Sequence, residues 1–385
     1  MKAMILAAGA GTRVRPLTYL VPKPMIPLLG RPLMEYLVGH LRTHGVDRIV
    51  VNTSYMAPQI EAYFRDGHRF GVEMAYSFEG TIGDDGKVDT RRFGSAGGLR
   101  RVQDFSKFFD DTFIVICGDA LIDVDLTKAV AEHRAAGAIA SLIATLVPQY
   151  DVSSYGIVVV DKNGRIGSFQ EKPTPEAALS RMANTGIYIF EPEVFDFIPR
   201  DKPFDIGSEL FPALIAAGAP FYAMDMPFEW VDIGQTPDYY DATMRLLRGE
   251  LKTARVPGRE IAPGIHAGIN VSLPEDRSGL RGPIWIGGST VIAPGATIIG
   301  PTAIGAGSIV EAGAHIERSI VWEYTRVSGR ATLREQIVCG PYCATSKGVT
   351  VSIDEADLRW AVDDARRTYR AYDEHGVADF VAQQL

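Results

Sequence analysis

Residues 4–24 read Met-Ile-Leu-Ala-Ala-Gly-Ala-Gly-Thr-Arg-Val-Arg-Pro-Leu-Thr-Tyr-Leu-Val-Pro-Lys-Pro. The apolar residues 4–6 predict a buried parallel strand, and residues 9–13 predict a glycine-rich turn after it. Glycines let backbone N–H groups approach an anion closely, and successive amides form a concave site for phosphate. Arg15 and Lys23 add further cations to the same loop. The stretch therefore predicts a strand that leads into a polyphosphate-binding loop.

The glycine pattern differs from two widespread phosphate-binding motifs. It lacks the third glycine of the dinucleotide-binding fingerprint and the Gly-Lys-Ser/Thr of a Walker-type loop. For the glycines taken alone, a plain turn between a strand and a helix, surrounded by solvated charges, is the alternative interpretation.

The composition is that of a globular chain with room for two or three domains. Of its 385 residues, 46% are apolar and 22% are charged. No apolar run approaches the roughly 18 residues of a membrane span, the first residues lack the basic and apolar regions of a signal peptide, and the three cysteines have no zinc-like spacing. We therefore expect a cytoplasmic protein without a membrane partner. The net charge of −8 also argues against a nucleic-acid partner.

Strand and helix patterns alternate over residues 1–250. Leu33, Leu37 and Leu41 share one helical face that ends before Gly45, and residues 113–116 form an apolar run that ends at Gly118. This order predicts an α/β domain with a mostly parallel sheet, whose functional groups lie at the carboxyl ends of the strands.

A period of six residues replaces this alternation in the following segment. Its aliphatic row consists of Ile286, Ile292, Ile298, Ile304, Val310 and Ile316. A second row, four positions further on, consists of the small residues Thr290, Ala296, Thr302, Ser308 and Ala314. The two coupled rows predict a parallel β-helix of hexapeptide repeats over residues 251–345.

The last segment, residues 346–385, is predicted to be a helical cap on this solenoid. From Asp354 onward, Leu358, Ala361, Ala365 and Tyr369 have the spacing of an amphipathic helix.

The first loop resembles the signature of a known enzyme family. The ordered residues Leu6-Ala-Ala-Gly-x-Gly-Thr-Arg-x-x-Pro-Leu-Thr, followed by Pro22-Lys23-Pro24, are similar to those of the sugar-1-phosphate nucleotidyltransferases, or NDP-sugar pyrophosphorylases. The resemblance covers nearly the whole chain. It implies a Rossmann-like (GT-A-like) catalytic domain followed by a left-handed β-helix. The likeness is nearest to cyanobacterial-type UTP–glucose-1-phosphate uridylyltransferases, and mannose-1-phosphate guanylyltransferases resemble the chain almost as well.

The resemblance implies the attack of a hexose-1-phosphate oxygen on the α-phosphorus of a nucleoside triphosphate, with release of pyrophosphate. We expect UTP and glucose-1-phosphate to give UDP-glucose, and GTP with mannose-1-phosphate is the alternative. Two anions must be aligned and their charge neutralised, so a divalent cation is expected, with Mg²⁺ as the usual choice.

Four residues are identified by this resemblance as the reacting centre. Arg13 holds the triphosphate, and Lys23 bridges the α-phosphate and the sugar phosphate. Asp119 follows a buried strand, and Asp232 lies in Trp230-Val-Asp232-Ile-Gly234; both are expected metal ligands. For either aspartate alone, a helix cap or a turn is the alternative interpretation.

The remaining predicted contacts divide between the two substrates. Those expected for the sugar phosphate are Gly156, Glu171, Lys172, Asn184, Gly186 and Asp232. Those expected for the nucleotide are Leu6, Ala7, Ala8, Gly9, Gly11, Thr12, Arg13, Lys23, Glu79, Gly94, Gly97 and Asp119. The charged residues 80–93, which include Asp84, Asp85, Arg91 and Arg92, form a longer connection than in many relatives and are interpreted as a candidate mobile flap.

Two other functions are alternatives for this sequence. An acyltransferase that uses the β-helix needs a histidine base, and His315 is the candidate within the strict hexads. A non-catalytic, sugar-nucleotide-binding regulatory subunit needs no catalytic residues, whereas Arg13, Lys23, Asp119 and Asp232 are all present. Because the ends of a short solenoid must be covered, we expect a homo-oligomer, either a dimer or a tetramer.

Overall fold

The computed structural model describes residues 1–83, 88–89, 93–200 and 202–367. The predicted flap residues Asp84, Asp85, Arg91 and Arg92, and Tyr369 of the predicted terminal helix, lie outside these ranges. The chain divides into two units, Met1–Arg255 and a second that begins at Val256. None of the helices in the described ranges has the length and apolar character that a membrane span requires.

The first unit contains the alternating strands and helices that the sequence predicts. Its strands are β1 Lys2–Leu6, β2 Pro27–Leu28, β3 Arg31–Pro32, β4 Arg48–Thr53, β5 Glu73–Phe78, β6 Thr81–Ile82, β7 Val88–Asp89, β8 Phe113–Cys117, β9 Ala120–Ile122, β10 Ala140–Leu146, β11 Gly156–Val160, β12 Ile166–Glu171, β13 Met182–Phe190, β14 Phe221–Asp225 and β15 Trp230–Asp232. Its helices are α1 Leu33–Thr43, α2 Ala57–Phe64, α3 Ser95–Ser106, α4 Leu126–Ala135, α5 Phe211–Ala216 and α6 Thr236–Leu247.

The main sheet has the strand order β12-β11-β13-β8-β1-β4-β5, and β10 pairs with both β13 and β14. Strand β1 lies parallel between β4 and β8, and β5 is parallel to β4. Strand β13 runs antiparallel to β8, β10 and β11. The predicted α/β architecture with a largely parallel sheet is confirmed. The carboxyl ends of β1, β4, β5 and β8 therefore meet at one edge, where such sheets bind ligands.

The central strands are apolar along their length because helices cover both of their faces. On one face, Met4 and Val115 pack with Leu99 of α3. On the other face, Ile5 and Ile116 pack with Leu37 of α1. This two-sided packing holds the strand ends, and hence the loops after them, in defined positions.

The second unit is a parallel β-helix, as the six-residue period predicts. Its strands are β16 Arg259–Ala262, β17 Ile265–Ala267, β18 Leu280–Arg281, β19 Ile284–Ile286, β20 Val291–Ile292, β21 Thr297–Ile299, β22 Thr302–Ile304, β23 Ile309–Val310, β24 His315–Glu317, β25 Ile320–Val321, β26 Thr325–Val327, β27 Thr332–Arg334, β28 Gln336–Cys339, β29 Tyr342–Thr345, β30 Thr350–Ser352 and β31 Val362–Asp364. In the described part of this unit they form three sheets, and successive hexads belong to successive sheets.

Both sequence rows line the interior of the β-helix. The six residues of the aliphatic row are at most 2% exposed, and the small residues Thr302, Ser308 and Ala314 are fully buried. The buried hydroxyls bond to backbone carbonyls at the corners, as Thr290 Oγ1 does to Gly305 O at 3.0 Å. Small residues therefore fill the tight corners without leaving a buried polar group unpaired.

The period becomes irregular after residue 317 for a structural reason. Ile298 pairs with Ile316, eighteen positions later, whereas Ile304 pairs with Val321, seventeen positions later. One residue is missing at the corner between β24 and β25, and the strands themselves keep their register. The β-helix thus continues through a shortened corner.

The prediction of a helix from Asp354 onward is wrong for the described residues 354–367. This stretch forms turns and the strand β31, which pairs antiparallel with β26 so that Val362 lies opposite Val327. Leu358 and Ala361 do pack against the β-helix core. The backbone groups at the open edge of β26 are satisfied by a strand, and a helix would leave them unpaired.

Candidate active site

The loop after β1 has a conformation that depends on glycine. Gly11 has φ +59°, and a Cβ at this position would lie 2.9 Å from Thr18 Cγ2. The Gly11 carbonyl accepts hydrogen bonds from Val14 N at 3.0 Å and from Thr18 Oγ1 at 2.9 Å. A larger residue would be strained both by its backbone conformation and by this contact.

A cavity of about 250 Å³ lies beside this loop. It is lined by Leu6, Ala7, Gly9, Gly11, Thr12, Arg13, Val14, Lys23, Pro24, Asp119 and Gly234. The structure therefore brings most of the predicted nucleotide contacts together with the predicted catalytic residues Arg13, Lys23 and Asp119. Ala8, Glu79, Gly94 and Gly97 are not among the lining residues.

Lys23 and Asp119 form a close ion pair in this cavity. Lys23 Nζ lies 2.6 Å from Asp119 Oδ2, and Lys23 is only 9% exposed. Burial by itself would lower the pKa of Lys23, but the negative charges of Asp119 and Asp232 outweigh it and raise the pKa. Lys23 is thus a permanently charged cation inside the cleft.

Asp232 is brought next to Asp119 by the pairing of two short strands. In the antiparallel pair β9–β15, Asp232 lies opposite Ala120, and Ile233 N donates to Asp119 O at 3.3 Å. Burial and the neighbouring charge of Asp119 raise the pKa of Asp232 to about 6. Two carboxylates so placed repel each other, which a cation between them would relieve.

The chemistry of these donors fits a hard divalent cation. Asp119 and Asp232 supply carboxylate oxygens, and within the described ranges no group of three or more His, Cys, Asp and Glu residues could form a complete protein cage. Mg²⁺ is commonly held by one or two carboxylates, with phosphate oxygens and water completing its octahedron.

The predicted sugar contacts on β11 and β12 are neighbours in the structure. Gly156 lies opposite Glu171, and a Cβ at Gly156 would lie 2.5 Å from Phe169 Cζ. Lys172 donates its backbone N–H to Tyr155 O at 3.1 Å, and its Nζ lies 3.4 Å from Glu171 Oε1. Glu171 and Lys172 are both half-exposed, so they present a carboxylate and an ammonium group to solvent.

Asn184 and Gly186 shape a bend in β13. Asn184 Oδ1 accepts from Gly186 N at 2.9 Å, and Asn184 Nδ2 donates to Tyr188 Oη at 3.1 Å. Gly186 has φ +76°, and a Cβ there would lie 2.7 Å from Cys117 Sγ. The missing side chain lets β13 pass close to Cys117, two residues before Asp119.

Gly94 and Gly97 contact the backbone of Phe204. A Cβ at Gly94 would lie 2.5 Å from Phe204 O, and Gly97 N donates to the same oxygen at 2.9 Å. Between these glycines, Ser95 Oγ donates to Asp205 Oδ2 at 2.8 Å. The glycines allow the start of α3 to approach residues 204–205 closely.

Glu79 is linked to the nucleotide loop by Asn52, which the sequence analysis did not single out. Asn52 Oδ1 accepts from Ala7 N at 2.7 Å, and Asn52 Nδ2 donates to Glu79 Oε1 at 2.9 Å. Burial raises the pKa of Glu79, although the hydrogen bond from Asn52 opposes the shift. The sequence signal for Asn52 was a polar residue directly after the apolar residues 49–51.

Comparison with known proteins gives concordant matches. The sequence model of the nucleotidyl transferase family matches residues 2–249. A UTP–glucose-1-phosphate uridylyltransferase from Synechocystis sp. is 53% identical over 97% of this chain and 96% of its own length. A mannose-1-phosphate guanylyltransferase from Mycobacterium tuberculosis is 32% identical over 84% of this chain and 80% of its own length. The crystal structure of a putative glucose-1-phosphate thymidylyltransferase from Bacillus anthracis, in complex with sucrose, has a TM-score of 0.54 and 25% identity, and covers 63% of this chain and 94% of its own.

Proposed function

The chain belongs to the nucleotidyl transferase family, and on this premise we propose that it forms UDP-glucose and pyrophosphate from UTP and glucose-1-phosphate. It is a sugar-1-phosphate nucleotidyltransferase. The choice of substrates rests on sequence identity. The chain is 53% identical to a uridylyltransferase over 97% of its length, but only 32% identical to the guanylyltransferase from Mycobacterium tuberculosis.

The residues of the cleft suit the transfer of a nucleotidyl group. In the proposed reaction, the glycine loop with Thr12 and Arg13 binds the triphosphate, and Lys172 binds the sugar phosphate. An oxygen of glucose-1-phosphate attacks the α-phosphorus, the bond from that phosphorus to the bridging oxygen breaks, and pyrophosphate leaves with the electron pair. Lys23 compensates the negative charge at the α-phosphate, so catalysis rests on alignment and charge neutralisation.

Enzymes of this family generally use a divalent metal, and we propose Mg²⁺ held by Asp119 and Asp232. When bound, the ion neutralises phosphate charge and orients the triphosphate. The raised pKa of Asp232, which results from burial and from the charge of Asp119, supports this assignment, because such a carboxylate is stabilised by a nearby cation.

GTP with mannose-1-phosphate is the second candidate pair, and it is supported by the guanylyltransferases among the relatives. A screen of pyrophosphate release separates the two. UTP, GTP, dTTP and ATP are each combined with glucose-1-phosphate and mannose-1-phosphate, and kcat/KM is measured for every pair. We expect the highest value for UTP with glucose-1-phosphate. A higher value for GTP with mannose-1-phosphate would establish the second candidate, and no release with any pair would contradict both.

A homo-oligomer, either a dimer or a tetramer, is proposed for the full chain. Among the described residues, strand β30 is at the edge of its sheet; Val351 within it is 42% exposed, and Val349 just before it is 66% exposed. Unpaired strand edges with apolar residues favour association. Light scattering of the full chain is expected to show a dimer or a tetramer. Val351→Lys should weaken it, and the control Val291→Lys should not, because Ser272 already forms a bridge with Val291 at the edge of that sheet. A monodisperse monomer at micromolar concentration would contradict this proposal.

A cytoplasmic location is also proposed. Cys117, Cys339 and Cys343 are free thiols in the structure, as proteins of reducing compartments usually have. Fractionation of cells that express the full chain is expected to recover it with cytoplasmic markers, and recovery in a secreted fraction would contradict this location.

A further inference from the structure

Asn52 lies where the ends of three neighbouring strands meet. Strand β4 is paired with β1 on one side and β5 on the other, and Asn52 is in register with Leu6. Ala7 follows β1 and lines the cleft, whereas Glu79 follows β5. Asn52, Ala7 and Glu79 are all at most 5% exposed. Their hydrogen bonds are therefore made away from water, where an unpaired group is costly.

The direction of these hydrogen bonds is determined by their partners. The Ala7 backbone N–H can only donate, so it holds the carbonyl oxygen of the Asn52 amide at 2.7 Å. The amide nitrogen of Asn52 must then face Glu79, whose Oε1 accepts from it at 2.9 Å. Glu79 Oε1 also lies close to the backbone of α3, because a Cβ at Gly98 would lie only 2.5 Å from it. Its carboxyl group also accepts a hydrogen bond from the backbone of Phe93.

We propose that Asn52 is a positioning residue for nucleotide binding, which sets the direction in which the phosphate-binding loop leaves β1 by joining Ala7 N–H to Glu79. Asn52 is not among the residues that line the cleft, so it acts through Ala7. The inference rests on the proposed function, because it assumes that this loop binds the nucleoside triphosphate.

A reversal of hydrogen-bond polarity tests the proposal. In Asn52→Asp, a carboxylate still accepts from Ala7 N–H but faces the carboxylate of Glu79, so the pair is pushed apart. We expect the affinity for UTP to fall about tenfold or more. In the double variant Asn52→Asp/Glu79→Gln, the glutamine amide donates to the new carboxylate. We expect this second change to restore most of the lost affinity.

The measurements are calorimetric titrations of the full chain with UTP and Mg²⁺, and steady-state KM values for both substrates. The KM for UTP is expected to rise in Asn52→Asp, while the KM for glucose-1-phosphate stays within about twofold, since the link touches only the nucleotide loop. Thr53→Val is the matched control. The Thr53 hydroxyl donates to Glu61 Oε1 at 3.2 Å on the opposite face of β4. We therefore expect Thr53→Val to change the stability of the chain but not its affinity for UTP.

Every outcome of these measurements either supports or overturns the positioning role of Asn52. Wild-type affinity for UTP in Asn52→Asp overturns the positioning role, and so do equal losses for both substrates or a double variant no better than the single one. Asn52→Ala removes both hydrogen bonds without adding charge; if Asn52→Asp does not fold, this variant must lose UTP affinity. Wild-type protein is titrated with all four nucleoside triphosphates in the same assay. If it binds none of them, the proposed function fails before the role of Asn52 is reached.

Discussion

The ammonium group of Lys23 lies 2.6 Å from a carboxylate oxygen of Asp119 inside the cleft. The side chain of Lys23 is 11% exposed and that of Asp119 is 30% exposed, so water screens the pair only partly. The pair joins a proposed phosphate-binding cation to a proposed metal ligand. A change to either residue therefore removes a charge that compensates the other.

Lys23 and Lys172 are expected to differ in their kinetic effects. Lys23→Gln should lower kcat by about 100-fold or more, because its buried charge is needed most while charge moves between phosphates. Lys172→Gln should mainly raise the KM for the sugar phosphate, because this half-exposed lysine touches a charge that does not change. Steady-state kinetics with each substrate varied will test the difference, and the same pattern in both variants would contradict the assigned roles.

Asp119→Asn is expected to abolish most of the metal-dependent activity while the chain still folds. The amide is a weaker ligand for a hard cation, and it no longer compensates the charge of Lys23. Turnover as a function of Mg²⁺ concentration and the thermal unfolding curve are the measurements. Asp110→Asn is the control, because Asp110 is an exposed carboxylate that pairs with Lys2. Near-normal turnover in Asp119→Asn would remove this residue from the metal site.

His133 is expected to make the stability of the first unit depend on pH. The ring is fully buried between Ser141 and Glu191, at 2.7 and 3.2 Å from their oxygens. Burial holds its pKa below the ordinary value, with help from Arg134 and against the charge of Glu191. The unfolded chain, with a histidine pKa of about 6.5, then binds more protons. The contribution of His133 is therefore present above about pH 6.5 and is lost as the pH falls.

Urea unfolding at pH 7.5 and pH 5.5 will test this sign. We expect His133→Gln to be less stable than wild type at pH 7.5 by about 1–3 kcal/mol, and the gap to narrow at pH 5.5. His44→Gln is the control, because His44 is a partly exposed histidine whose ring forms a hydrogen bond with Thr127. A gap that widens at the lower pH would contradict the direction of the pKa shift.

Ile304 is expected to stabilise the β-helix without taking part in the reaction. Its side chain is fully buried in the core of the second unit. Ile304→Ala should lower the free energy of unfolding by about 2–5 kcal/mol, because it leaves a cavity that the stacked coils cannot close. Val291→Ala, at a position that is 42% exposed, should change it much less. A kcat that falls with Ile304→Ala while the chain remains folded would show that the β-helix affects catalysis.

Local patterns in the sequence were enough to predict both architectures. The apolar run before Gly9 identified β1, since a strand buried on both faces is apolar throughout. The six-residue rows identified the β-helix, because each inward position recurs once per face. The residues of the first loop are close in sequence, so their convergence with Lys23 on one cavity followed from the motif. Periodicity and local steric limits act over a few residues and can be read from the chain directly.

Only the tertiary structure decided the contacts between distant segments. The amide of Asn52 joins Ala7 to Glu79 because three strands pair in a particular register. The apolar residues after Asp354 have the spacing of a helix, yet residues 362–364 form a strand that pairs with the open edge of β26. A polar residue or an amphipathic spacing is compatible with several partners. The choice among them depends on which unpaired backbone and side-chain groups the rest of the fold brings within hydrogen-bond distance.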